Sequence, residues 1–165
     1  MTAMNSESEH KETLIQFVQE YATKRNEIED YVREQSKKQD ESRPVFTNNE
    51  EKWAWLKANP QTNWFEKFSE LLAPIFDTHC TDKNRVYGGK NTHSFGFPVK
   101  FNGIDKPIET DVIFKNKNRA EVYFKTETKF TDEYLFIVLR KNNEWRIDSY
   151  KGRRYGNEKW DNKIL

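Results

Sequence analysis

His79 and Cys80 stand side by side, flanked by Asp77 and Asp82 and followed by His93. Imidazole, thiolate and carboxylate are the ligands that zinc or iron takes from a protein. The spacing matches no metal-ligand pattern, and Cys80 is the sole cysteine. A helix end carrying a buried thiol accounts for the same residues, so neither a metal nor a cofactor is expected. Acid–base chemistry has a wider choice of groups. Asp111, Asp148, His79 and His93 are candidate bases, and Tyr87, Tyr123 and Tyr150 are candidate donors to an oxyanion. Asp148 falls two residues from both Arg146 and Tyr150, which on a regular strand lines up three polar tips on one face. The same trio also reads as a solvated ion pair.

A third constellation lies between Lys141 and Leu165, where seven bases face four acids for a local charge of +3. Lys151, Arg153 and Arg154 are interleaved with Tyr150, Tyr155 and Trp160. Bases alternating with aromatics suit phosphate neutralisation and base stacking. Four acids in the same stretch oppose that use, and no nucleic-acid motif accompanies them, so no direct nucleic-acid partner is expected. Trp, Tyr and Arg are also the residues that dominate protein–protein hot spots. Lys151, Arg153, Arg154, Tyr155 and Trp160 are therefore read as a partner-binding surface, with a tail packed on a sheet as the alternative. The stretch to Phe46 carries ten acids and seven bases, net −3. Opposite charge at the two ends also suits self-association into a homodimer.

These residues have to be held by a fold built from few aliphatics. The 165 residues carry a net charge of +1, with one third of them charged. The mean hydropathy of −1.06 approaches that of disordered chains. Twelve Phe, seven Tyr and five Trp argue the other way, because aromatics bury large areas each. A chain of this length buries about 70% of its surface on folding, which suffices for a single domain over 1–165. The polar, acidic N-terminus has no apolar core of a signal peptide, and no run approaches a membrane span, so a soluble, cytosolic protein without a membrane partner is expected.

Leu14, Phe17, Val18, Tyr21, Ile28, Tyr31 and Val32 recur at helical spacing and predict one helix from about Ser8 to Gln39. With the loop to Pro44 it makes up residues 1–45. Further helices are predicted over 46–82. Asn48 or Asn49 caps the first, which carries Trp53, Trp55 and Leu56 and ends before Pro60. Asn63 and Glu66 open the next in a capping-box pattern, and Pro74 predicts a kink or break before Ile75 and Phe76. From 93 to 155 the period changes to that of an antiparallel sheet. A broken strand over Phe95–Phe101 is followed by Ile108–Lys115, a turn at Asn116–Asn118, and alternation through Ala120, Val122, Phe124 and Thr126. Tyr134–Leu139 reads as a central strand covered on both faces, and Lys141–Glu144 as a hairpin turn into Trp145–Tyr150. Residues 156–165 read as a C-terminal tail. Helices followed by a meander make an α+β protein.

Helices packed on a curved antiparallel sheet resemble the cone-shaped nuclear transport factor 2-like fold. The hairpin YLFIVLRKNNEWRIDSY (Tyr134–Tyr150) looks like the last hairpin of that fold. The stretches FDTHCTDKNRVYGG (Phe76–Gly89), KNKNRAEVYFKTETKF (Lys115–Phe130) and WRIDSYKGRRYGNEKWDNKIL (Trp145–Leu165) resemble immunity proteins of bacterial polymorphic toxin systems, in particular those paired with Rhs-type toxins. The resemblance implies a small cytosolic protein that binds a cognate toxin domain and neutralises it by stoichiometric occlusion. It brings no catalytic residues. The same fold also hosts isomerases and dehydratases in the mouth of its cone, and for that alternative Asp148, Tyr150, Asp111 and Tyr87 are the pocket candidates.

Overall fold

The computed structural model describes residues 3–92, 94–154 and 156–165. Three helices, α1 (Ala3–Glu41), α2 (Asn49–Ala58) and α3 (Trp64–His79), precede five strands: β1 (Glu109–Asn116), β2 (Arg119–Lys125), β3 (Glu133–Lys141), β4 (Glu144–Arg153) and β5 (Asp161–Lys163). The strands form one antiparallel sheet in the order β1-β2-β3-β4-β5, with β1 and β5 as its open edges. The architecture is α+β, as the sequence predicts.

Helix α1 is one element because Leu14, Val18, Tyr21, Ala22, Arg25, Glu29 and Val32 form a buried stripe at spacings of three and four, with charge on the remaining faces. The α2 start is capped as predicted. Asn48 Oδ1 accepts from the Glu51 N–H at 2.8 Å, and Glu51 reaches back to the Thr47 N–H and hydroxyl. Asn63 Oδ1 likewise takes the N–H groups of Phe65 and Glu66. Pro74 does not break α3, which runs on to His79. Pro74 is exposed, so the carbonyl that loses its partner faces water, while Ile75, Phe76 and His79 pack inward and hold the last turn.

The predicted strand over Phe95–Phe101 is absent, because α1 takes up its backbone groups instead. Glu29 accepts from the N–H of Gly96 (3.0 Å) and of Lys100 (2.9 Å). Asn26 donates to the Phe101 carbonyl and accepts from its N–H, and Gln19 donates to the Ile104 carbonyl at 2.8 Å. Gly103 turns the chain at φ +83°, where a side chain would also strike Thr128 Cγ2 at 2.8 Å.

One face of the sheet supplies Val112, Ala120, Val122, Phe124, Tyr134, Phe136, Val138 and Ile147 to the core, where Phe101, Tyr21, Phe68 and Leu72 meet them. On the outer face of central strand β3, Leu135 and Ile137 are also buried. Among the described residues no helix covers them. The expected cover comes from the cross-strand neighbours, Tyr123 and Lys151 beside Leu135, Glu121 and Ser149 beside Ile137. The β3–β4 turn places Asn142 and Asn143 at positive φ, the conformation of a tight hairpin. The last ten residues are more than a tail: β5 pairs with β4, and Leu165 is buried. Its carbonyl accepts from the Gly89 N–H at 2.8 Å, so close that a Cβ on Gly88 would lie 2.4 Å from the same oxygen.

Candidate partner-binding surface

Strand β4 carries an extra residue at Asp148, since Ile137 pairs with Ser149 while Val138 pairs with Ile147. This bulge changes which side chains share a face. Tyr150 turns into the core beside Ile147 and stacks on Phe136 at 5.5 Å, and burial pushes its phenol up to about 12. Asp148 stays at the strand edge, accepting from Thr81 Oγ1 (2.9 Å) and Lys83 Nζ (3.0 Å). The predicted line of Arg146, Asp148 and Tyr150 on one face is therefore not formed.

The remaining pocket candidates do not converge on one site, since the groove that Tyr87 shares with Asp148 is not lined by Tyr150. Tyr87 is 81% exposed and borders a groove of about 220 Å³ with Asp148. Asp111 is three strands away on β1, where its carboxylate accepts the Val112 N–H. Between sheet and helices the centre is filled by Tyr21, Phe68, Phe101, Phe124 and Phe136, all fully buried. The cavity of about 600 Å³ left between α1 and the sheet, bordered by His10, Leu14, Phe114 and Trp145, is lined by none of the four pocket candidates. His79 stacks on Phe17 at 5.0 Å between α1 and α3, bonded to Thr78 and Glu20. Burial pushes the Cys80 thiol up to about 12, which leaves it an inert core group. His93 lies outside the described residues. Among those described, no three His, Cys, Asp or Glu side chains converge as a metal site would require.

The C-terminal candidates do come together. Glu133, on the outer face of β3, accepts from Arg153 Nε at 2.9 Å and from the Tyr123 hydroxyl. The Arg153 guanidinium lies 4.2 Å from the centroid of the Trp160 ring, and Trp160 meets Tyr123 edge-on at 6.1 Å. Desolvation works against ionising Glu133, but the hydrogen bonds from Arg153 and Tyr123 outweigh it and hold the carboxyl below its ordinary range. Partial burial and donation to Glu133 drive the Tyr123 phenol well upward. Arg154 lies over Phe130 at 4.4 Å with Asp132 3.6 Å from its Nε, and Lys151 shares the outer face opposite Leu135. Tyr155 falls outside the described residues. Three strands and the C-terminal segment thus hold the stacked Arg153–Trp160 pair on the outer face, and a second pair, Arg154 with Phe130, is likewise tied to a carboxylate.

Residues 44–163 match the family model of the NTF2 fold immunity proteins. The chain belongs to that family. Over 89 residues it is also 26% identical to Immunity protein RhsIA of Dickeya dadantii (strain 3937), a stretch that makes up 54% of this chain. The matched stretch covers 64% of that relative, less than two thirds of its length. No solved structure matches. Both similarities are to immunity proteins, and they point to a protein that is not an enzyme. The family match bears out the resemblance stated above and the nuclear transport factor 2-like fold with it. It begins after α1, which nonetheless contributes Leu14, Val18, Tyr21, Ala22 and Val32 to the shared core. Among the described residues, no helix is long and apolar enough to cross a membrane.

Residue types alone missed Glu133, Tyr123 as its partner, and Phe130. Glu133 faces Arg153 only because the β3–β4 register sets them opposite each other. Alternation along β2 already separates Tyr123 from the core residues Val122 and Phe124, and that is the one signal available from the sequence.

Proposed function

We propose that the protein is the immunity partner of a cognate toxin domain, which it binds stoichiometrically in the cytosol and occludes. Membership of the NTF2 fold immunity proteins is the observation that carries this reading. The chain acts as one domain, and Lys151, Arg153, Arg154, Tyr155 and Trp160 contact the toxin, with Arg153 and Trp160 as the anchors. The composition of that surface supports the reading, since Arg and Trp are the residues on which binding energy concentrates. Its preorganisation supports it too. Glu133 already holds the Arg153 guanidinium flat on Trp160, so little side-chain entropy is lost on docking. Solvated charges at the rim, Arg154 and Lys151 among them, steer association.

Co-expression with the toxin domain encoded in the adjacent gene tests the proposal. Cells that make both survive, and the two proteins leave gel filtration as one complex. A toxin that stays lethal, with no complex recovered, refutes it.

A further inference from the structure

Strand β1 is an edge of the sheet, and among the described residues no strand pairs with its far side. It is eight residues long, and its outer face is exposed throughout. Along that face run Glu109, Asp111, Ile113 and Lys115: acid, acid, apolar, base. Ile113 is 47% exposed, and Ile108 just before the strand is 52% exposed. Lys115 keeps to the same face despite a bulge there, with its Nζ 3.5 Å from Glu121. A long free edge with exposed isoleucines is a template for another strand.

The order of charges states which strand. Paired antiparallel residues share a face, so a second β1 related by a two-fold axis has few registers open to it. With Ile113 opposite its own copy, Asp111 faces Lys115 on both sides of the axis, and Val112 faces Phe114 on the inner face. Moving the register by one step sets Asp111 against Ile113, and a further step sets Asp111 against Asp111. Only the first register gives an apolar centre flanked by two ion pairs. The Val112 N–H now donates to the Asp111 carboxylate at 2.8 Å, a local acceptor that an incoming strand replaces, freeing Asp111 for Lys115.

We propose that β1 is the docking edge for a second copy of this chain, joined antiparallel about Ile113. The two sheets then form one of ten strands, with both outer faces on the same side. The two Arg153–Trp160 surfaces, on β4 of each copy, lie seven strand spacings or about 34 Å apart along it. The assembly is thus bivalent toward a partner, but its formation does not depend on the immunity reading and is measured on the chain alone.

Sedimentation velocity of the full chain across a range of micromolar concentrations reads the outcome. The wild type shifts from monomer to dimer as concentration rises, and hydrogen exchange over residues 110–115 slows in step. Asp111→Lys and Lys115→Asp each set like charges opposite one another twice, and each weakens the dimer by about tenfold or more. An equimolar mixture of the two variants dimerises again, because each supplies the charge that the other lacks. Both positions are exposed, and circular dichroism checks that the variants fold. A wild type that stays monomeric at all concentrations overturns the proposal. So does a dimer that neither substitution weakens, or a mixture that does not recover.

Discussion

The guanidinium of Arg153 is clamped between Glu133 and Trp160, with one face 4.2 Å from the indole centroid and Nε 2.9 Å from the carboxylate. A cation fixed in this way presents a rigid, partly desolvated anchor, whereas Arg154, more exposed and 3.6 Å from its carboxylate, is held loosely. Trp160→Ala and Arg153→Ala are each expected to cost the toxin complex at least about 2 kcal/mol, or roughly thirtyfold in Kd. Arg153→Lys does not restore affinity, since an ammonium neither stacks flat nor bonds in a fork. Arg154→Ala costs far less. Titration calorimetry with the purified toxin domain ranks the four; equal losses at Arg153 and Arg154 would place the anchor elsewhere.

Glu29 is the buried hinge between α1 and the segment that precedes the sheet. Its carboxylate takes Arg25 Nη1 at 2.9 Å and the N–H groups of Gly96 and Lys100, and Arg25 also lies over Phe68 and Phe101. Replacing it by Ala strands a buried guanidinium and two backbone donors, so a loss of about 3–5 kcal/mol is expected. Urea unfolding measures the loss, and hydrogen exchange shows the amides of Gly96 and Lys100 deprotected first. A variant within 1 kcal/mol of wild type would mean that water satisfies those groups.

The same contact explains what the sequence could and could not reveal. Periodicity exposed α1, the β2 alternation and the β3–β4 hairpin, because each is set by neighbours a few residues away. The segment Phe95–Phe101 reads as a broken strand, yet its hydrogen bonds go to Asn26 and Glu29, 67 to 75 residues distant. The Asp148 bulge is similarly a property of pairing with β3, and it alone moves Tyr150 from the face of Arg146 into the core. At the surface, Arg153 and Trp160 were readable as residue types. Glu133, which orients them, needed the strand register.

Pro74 offers a simple gain. α3 continues through it, so the residue occupies a helical position while supplying no N–H to the turn before it. Pro74→Ala restores that bond and removes the ring from a turn already held by Phe76 and His79. Stability is expected to rise by about 1–3 kcal/mol, read as a higher urea midpoint at unchanged slope. A fall would show that the ring sets a bend that the packing of α3 on α1 requires.

Lys100 carries the clearest pH signature. Its side chain crosses the Phe101 and Tyr150 rings and its amine donates to the Ile164 carbonyl. Desolvation by burial, with the nearby Arg25 charge adding to it against Glu29, pulls the amine from the ordinary 10.5 to about 7. Between those two values the unfolded chain holds a proton that the folded protein has released, so stability rises as pH climbs from about 7. Below 7 both states are protonated and this contribution vanishes. The buried phenols of Tyr21, Tyr134 and Tyr150 are shifted upward and act in the opposite sense above pH 10, so the comparison belongs between pH 7 and 9. Over that window the urea midpoint of the wild type increases, while Lys100→Met, which keeps the apolar stem over the rings, gives a nearly flat profile. Parallel slopes in the two proteins would assign the proton to another group.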